Sequence, residues 1–120
     1  MNKYVLRKIE DLQAGKIIIS KEPGNSMEPI LKSREPVVLV PATINDFEVG
    51  DIAFTKIHGT CYTHKVYGVN KDKGILIGNN SGHMNGWTRN IYGKAYLIPR
   101  DKQNDLDSYL KEFIENYEKS

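Results

Sequence analysis

The stretch Pro36-Val37-Val38-Leu39-Val40-Pro41 is a run of four apolar residues bounded at each end by a proline. β-Branched residues favour strands, and proline is confined to strand ends, so this stretch predicts a strand. Short runs of similar character, separated by turn residues, lie at residues 16–20, 52–57, 61–69, 74–77 and 91–98. Short strands at such spacing predict a small, mainly β domain.

Both ends of the sequence show helical periodicity. Residues 3–14 place apolar side chains at roughly helical spacing before Gly15, which predicts a short helix. In the tail, apolar residues at positions 106, 110, 113, 114 and 117 predict an amphipathic helix over about 105–118, with Asn104 or Asp105 as N-cap. We expect this second helix to pack on the sheet; a docking face for a partner is the alternative.

The bulk composition indicates one ordinary globular domain spanning residues 1–120. The chain is 39% hydrophobic and 27% charged, and 17 basic against 15 acidic residues give a net charge of +2. This balance does not favour a nucleic-acid partner. Cys61 is the single cysteine, no apolar run approaches the ~20 residues of a membrane span, and the start does not resemble a signal peptide. We therefore expect a soluble, cytoplasmic protein.

Five short motifs follow one another along the chain. They are Ser26-Met27-Glu28-Pro29, Val49-Gly50-Asp51-Ile52, His64-Lys65-Val66, Gly78-Asn79-Asn80 and Ile91-Tyr92-Gly93-Lys94. The order resembles that of the signal peptidase and LexA-like family of serine peptidases over about residues 22–98. The resemblance implies the catalytic-domain fold of that family, with a short N-terminal and a C-terminal helix here, and peptide-bond hydrolysis with no cofactor.

Ser26 is the candidate nucleophile. A serine hydroxyl is a poor nucleophile at neutral pH and needs a base within hydrogen-bond reach. Gly24 and Asn25 permit a sharp turn and leave room for a substrate carbonyl, and backbone amides at Ser26 and Met27 are candidate oxyanion donors. Local sequence alone favours an ordinary turn serine at Ser26, and it is the ordered series of motifs that favours the nucleophile.

His64 and Lys65 are the two candidate bases. Adjacent strand residues point to opposite faces, so only one of them is expected to face Ser26. The resemblance assigns the proton to the first residue of the pair, which is His64, and leaves Lys65 as the alternative. An imidazole with a pKa near ~6.5 is a ready base at neutral pH, whereas a lysine must first lose ~3 pKa units.

The third part of such a site is the group that orients the base. The resemblance implies aspartates in the Gly-Asp-Asn loop and shortly after it, and the matching positions are Asn79 and Asn85. An amide can hold an imidazole but does not stabilise an imidazolium as a carboxylate does. Asp51 is another candidate acid, although a turn residue that fixes its own backbone is the stronger interpretation.

The segment 78–86, GNNSGHMNG, is predicted to be a polar loop, and Trp87 follows it. His83 and Trp87 are candidate substrate-binding residues together with Gly24 and Asn25; a tryptophan that plugs the core is the alternative. The three histidines do not have metal-ligand spacing, so we expect no metal.

Three functional hypotheses follow. The first is a serine endopeptidase that cuts a peptide or protein substrate docked in extended form against a sheet edge. The second is a catalytically weak or inactive peptide-binding module that retains the fold, which the asparagines at positions 79 and 85 motivate. The third, self-cleavage at Ala14-Gly15, is disfavoured because only 14 residues precede that bond. Oligomeric state is open.

Overall fold

A computed structural model describes residues 2–119. Its helices and strands are α1 (Lys3–Gln13), β1 (Ile18–Lys21), β2 (Pro36–Pro41), β3 (Ile52–Ile57), β4 (Thr60–Asn70), β5 (Gly74–Gly78), β6 (Met84–Thr88), β7 (Asn90–Leu97) and α2 (Leu106–Glu118). The prediction of a mainly β domain with an N-terminal and a C-terminal helix is confirmed. None of the helices within residues 2–119 is long and apolar enough to cross a membrane.

The strands form one antiparallel sheet in the order β1-β2-β7-β3-β4-β5-β6. Strand β4 changes partner along its length: residues 60–65 pair with β3, and residues 65–70 pair with β5. Within residues 2–119, the other edge of residues 60–64 therefore has no neighbouring strand. This open edge lies beside the site described below.

The two helices cover opposite faces of the sheet, as the alternation of side chains along β2 requires. Leu39 packs in a cluster with Ile9 and Leu12 of α1, whereas Val38 packs in a cluster with Phe113 and other apolar residues of α2. The expected packing of the second helix on the sheet is thus confirmed. Side-chain caps start both helices: Asn2 accepts from the Val5 amide, and Asp105 accepts from the Ser108 amide.

Strand β6 corrects the prediction that residues 78–86 form a loop throughout. Residues 84–88 pair with β5, although they include few apolar side chains. Backbone pairing needs no apolar side chain, and Gly86 adopts a φ of 130°, which glycine tolerates and other residues rarely do. Only residues 79–83 remain as the connection.

Candidate active site

Ser26 lies on the loop that joins the paired strands β1 and β2. The base of the loop is closed by a hydrogen bond from the Arg34 amide to the Glu22 carbonyl, at 2.7 Å. Met27 and Leu31 turn inward and are buried in the cluster beneath α1, so they anchor the loop to the sheet. Ser26 itself remains exposed at the surface.

The Ser26 hydroxyl is 3.0 Å from Nε2 of His64, a distance at which a hydrogen bond forms. On the other side of the ring, Nδ1 of His64 is 2.6 Å from Oδ1 of Asn85. Because a carbonyl oxygen only accepts hydrogen bonds, Nδ1 donates its proton to Asn85. Nε2 is then left with a lone pair that accepts the Ser26 O–H, which is the tautomer a general base requires.

A β-bulge aims Asn85 at the histidine. Along β5, Ile77 pairs with Gly86 and the next residue, Gly78, pairs with Met84, so Asn85 is an extra residue on β6. Such a bulge changes the direction of a side chain relative to the regular alternation of the strand. The amide of Asn85 therefore reaches His64, which is on β4, two strands away.

The surroundings of His64 keep its imidazole neutral at neutral pH. The residue is only 8% exposed, and burial, which disfavours the charged form, lowers its pKa below the ordinary value of 6.5. The hydrogen bond to Asn85 acts in the opposite direction and raises the pKa, but burial is the larger influence. A neutral imidazole is the form that accepts a proton from serine.

Asn80 ties the segment before β6 to the loop that carries Ser26. Its backbone N–H donates to the Ser26 carbonyl at 2.9 Å, and its side-chain Nδ2 donates to the Glu28 carbonyl at 3.0 Å. The sequence places Asn80 in a motif, but its residue type does not predict this role. Tyr67, which belongs to none of the five motifs, donates its hydroxyl to the Asn79 carbonyl and supports the same segment.

The backbone around Ser26 offers candidate oxyanion donors. Among residues 2–119, neither the Ser26 nor the Met27 N–H has a protein acceptor. Unpaired amides beside a nucleophile can stabilise the negative oxygen of a tetrahedral intermediate. Both residues also line an open cleft of about 720 Å³, together with Gly24 and His64.

Three other predicted site residues lie away from the Ser26–His64 contact. The ammonium group of Lys65 lies over the ring of Tyr67, 5.5 Å from its centroid, so His64 rather than Lys65 faces Ser26. Asp51 accepts from the Glu48 amide and lies 3.3 Å from Nζ of Lys94, which agrees with its interpretation as a turn residue.

Asn79 likewise serves its own loop rather than the histidine. Its Oδ1 accepts from the amides of Ser81 and His83, at 3.1 and 2.9 Å. A short polar side chain that bonds to the backbone two and four residues ahead fixes a turn. Of the candidate orienting residues, Asn85 alone contacts the His64 ring.

Of the four predicted substrate-binding residues, one lines the cleft and three do not. Gly24 lines the cleft, but Asn25, His83 and Trp87 are not among the residues in 2–119 that line it. Trp87 is 38% exposed and packs against Gly68, beneath the ammonium group of Lys73, so it neither plugs the core nor borders the cleft.

Comparisons of the chain with models of protein families, with curated proteins and with solved structures find no match. The resemblance to signal peptidase and LexA-like peptidases therefore stays a prediction from the motif order. Within the described part of the chain, no three His, Cys, Asp or Glu side chains are grouped so as to hold a metal ion.

Proposed function

We propose that this protein is a serine endopeptidase that uses Ser26 as nucleophile and His64 as general base. The observation that carries the proposal is the continuous set of contacts from Ser26 Oγ through both ring nitrogens of His64 to Asn85. A nucleophile, a base and a group that orients the base are the three parts of such catalysis. The order of the five sequence motifs supports the same function.

In the proposed reaction, Ser26 Oγ attacks the peptide carbonyl while Nε2 of His64 takes the hydroxyl proton. The amides of Ser26 and Met27 stabilise the oxyanion, and the imidazolium returns its proton to the leaving amine as the C–N bond breaks. A water molecule, deprotonated by His64, then attacks the acyl-enzyme carbonyl. The bond from the carbonyl carbon to Ser26 Oγ breaks, His64 returns the proton to Oγ, and the new carboxylic acid leaves. Asn85 holds the ring through both steps.

The backbone segments that line the cleft suit an extended peptide. They include residues 21–24, which are the end of β1 and the residues after it, and residues 61–64, where β4 has its open edge. An extended chain lying between them can form backbone hydrogen bonds as an added strand does. This arrangement supports a peptide as the substrate.

The proposal is tested with a diverse peptide library and with a fluorophosphonate, which reacts with activated serines. We expect the wild type to cut peptides and to gain one adduct at Ser26, and Ser26→Ala and His64→Ala to do neither. Loss of a triad member in serine peptidases lowers kcat by ~10⁴ to ~10⁶. Ser108→Ala and His58→Asn, at exposed positions outside the cleft, are the matched controls.

A second function is favoured by one specific observation, namely that a neutral amide rather than a carboxylate contacts Nδ1 of His64. In this alternative the chain binds peptides without cutting them. A wild type that binds library peptides, cuts none of them and does not react with the fluorophosphonate would replace the first proposal with this one. Cleavage that survives His64→Ala but not Lys65→Ala would move the base to Lys65.

A further inference from the structure

The rim of the cleft carries three basic side chains without acidic partners. Lys21, Lys32 and Arg34 all line the cleft and are exposed. Within residues 2–119, none of the three forms an ion pair. Their positive charges are therefore directed at solvent and at whatever enters the cleft.

The carboxylate on the cleft wall is already neutralised. Glu22 is the one acidic residue among the described residues that line the cleft, and its Oε1 lies 2.5 Å from Nζ of Lys8. Oε1 also accepts from the hydroxyl of Ser20, at 2.9 Å. Lys8 is 5% exposed, and among the described residues its one ion pair is with Glu22. The two charges compensate each other, so the cleft is left with the net charge of its three rim cations.

We infer that the cleft binds peptides with aspartate or glutamate in the segment that lies against Lys21, Lys32 and Arg34. The inference rests on the proposed function in that it specifies the substrate of the same site. A positively charged cleft attracts a partner that carries negative charge and repels one that carries positive charge. A peptide is favoured over a nucleic acid because open strand edges border the cleft and the chain has a net charge of only +2.

The test measures binding apart from cleavage, using Ser26→Ala and fluorescence anisotropy. Three labelled octapeptides share one neutral sequence and carry Glu, Gln or Lys at two positions. We expect the Glu peptide to bind about 2- to 25-fold more tightly than the Gln peptide, since each of two exposed pairs contributes a factor of ~1.4 to ~5. The Lys peptide should bind least tightly. The Glu preference should shrink when salt is raised from 50 to 300 mM.

Charge reversal at the rim sharpens the test. Lys21→Glu together with Lys32→Glu should invert the order of the three peptides, whereas Lys71→Glu together with Lys111→Glu, at exposed positions outside the cleft, should preserve it. Equal binding of the Glu and Gln peptides, equal effects of the two double variants, or no measurable binding of any peptide would overturn the inference. So would an oligonucleotide that binds more tightly than the Glu peptide and depends on the same lysines.

The outcome is separable from that of the proposed function. If the Glu peptide binds in a charge-dependent manner but the wild type never cuts it, the inferred preference for acidic peptides stands and the peptidase proposal falls. If the wild type cuts all three peptides at equal kcat/KM, the peptidase proposal stands and the charge preference falls.

Discussion

The central strands and the region around Ser26, which comprises its loop, His64, Asn80 and Asn85, are stabilised by different kinds of contact. In β2 and β3, side chains such as Leu39 and Phe54 are almost completely buried among other apolar groups. Around exposed Ser26, hydrogen bonds from Asn80 hold the loop, and a hydrogen bond to Asn85 holds the ring of His64. The difference indicates that stability depends mainly on the first region and the geometry of the proposed catalytic residues on the second, so mutations should separate the two.

The largest expected effect on stability is at Leu39. Leu39→Ala leaves a cavity in the fully buried cluster beneath α1 and should lower the free energy of unfolding by about 2–5 kcal/mol. Urea denaturation followed by circular dichroism measures the change. Leu97→Ala is the matched control, because Leu97 on neighbouring β7 is 47% exposed, and its effect should be within about 0.5 kcal/mol. Equal losses in both variants would contradict the assignment of stability to the buried strands.

Asn85 should show the reverse behaviour, with a large effect on activity and a small one on stability. We expect Asn85→Ala to reduce kcat/KM by about 10- to 100-fold, because His64 loses the partner that fixes its tautomer. Asn85→Asp should raise kcat/KM, since a carboxylate stabilises the imidazolium that forms during the reaction.

The same variants should move the pH dependence in opposite directions. Activity requires neutral His64, so it is present above the pKa of this residue and lost as pH falls through it. Asn85→Ala removes a hydrogen bond that raises the pKa, which shifts the acid limb to lower pH. Asn85→Asp places a negative charge beside the ring and shifts the limb to higher pH. An NMR titration of the His64 ring measures both shifts, and exposed His58 is the internal control.

A smaller effect is expected at Asn80. Asn80→Ala removes the side-chain bond to Glu28 but keeps the backbone bond to Ser26, so the loop is only partly released. One hydrogen bond is worth about 1 kcal/mol, which corresponds to a roughly fivefold slower reaction of Ser26 with a fluorophosphonate. Asn104→Ala, at an exposed position before α2, should leave the rate unchanged. An unchanged rate in Asn80→Ala would show that this contact does not position Ser26.

Most of the fold could be predicted because most of its strands contain short runs of apolar or β-branched residues between turn residues. The prolines around Val37–Val40 and the spacing of apolar residues in the tail located β2 and α2 closely. Strand β6 could not be predicted, since Asn85 and Gly86 are typical loop residues and only pairing with β5 makes them a strand. The bulge at Asn85 depends on the register between two strands, which no local pattern encodes.

The candidate site was predicted less completely. The family resemblance implied the pairing of Ser26 with His64 and gave Asn85 as a candidate orienting residue, and the structure brings these three together. Asp51 and Asn79 have equally suitable side chains, but both bond to nearby backbone amides instead. Whether such a side chain bonds to a nearby backbone amide or to His64 depends on the geometry of its loop, which residue types alone do not specify.

The hydrogen bond that joins the two ends of the Ser26 loop separates the pairing of β1 with β2 from the residues proposed to act on a substrate. Lys21 and Pro36 are cross-strand partners, and the bond between Arg34 and Glu22 joins the loop ends, so the β1–β2 hairpin is complete without the residues between them. Exchanging residues 23–33 for another loop that keeps apolar side chains in place of Met27 and Leu31 should preserve the strand pairing and the cluster beneath α1 while removing the nucleophile. The same architecture allows loops of other lengths and sequences to be grafted onto this hairpin, each presenting its own side chains to His64.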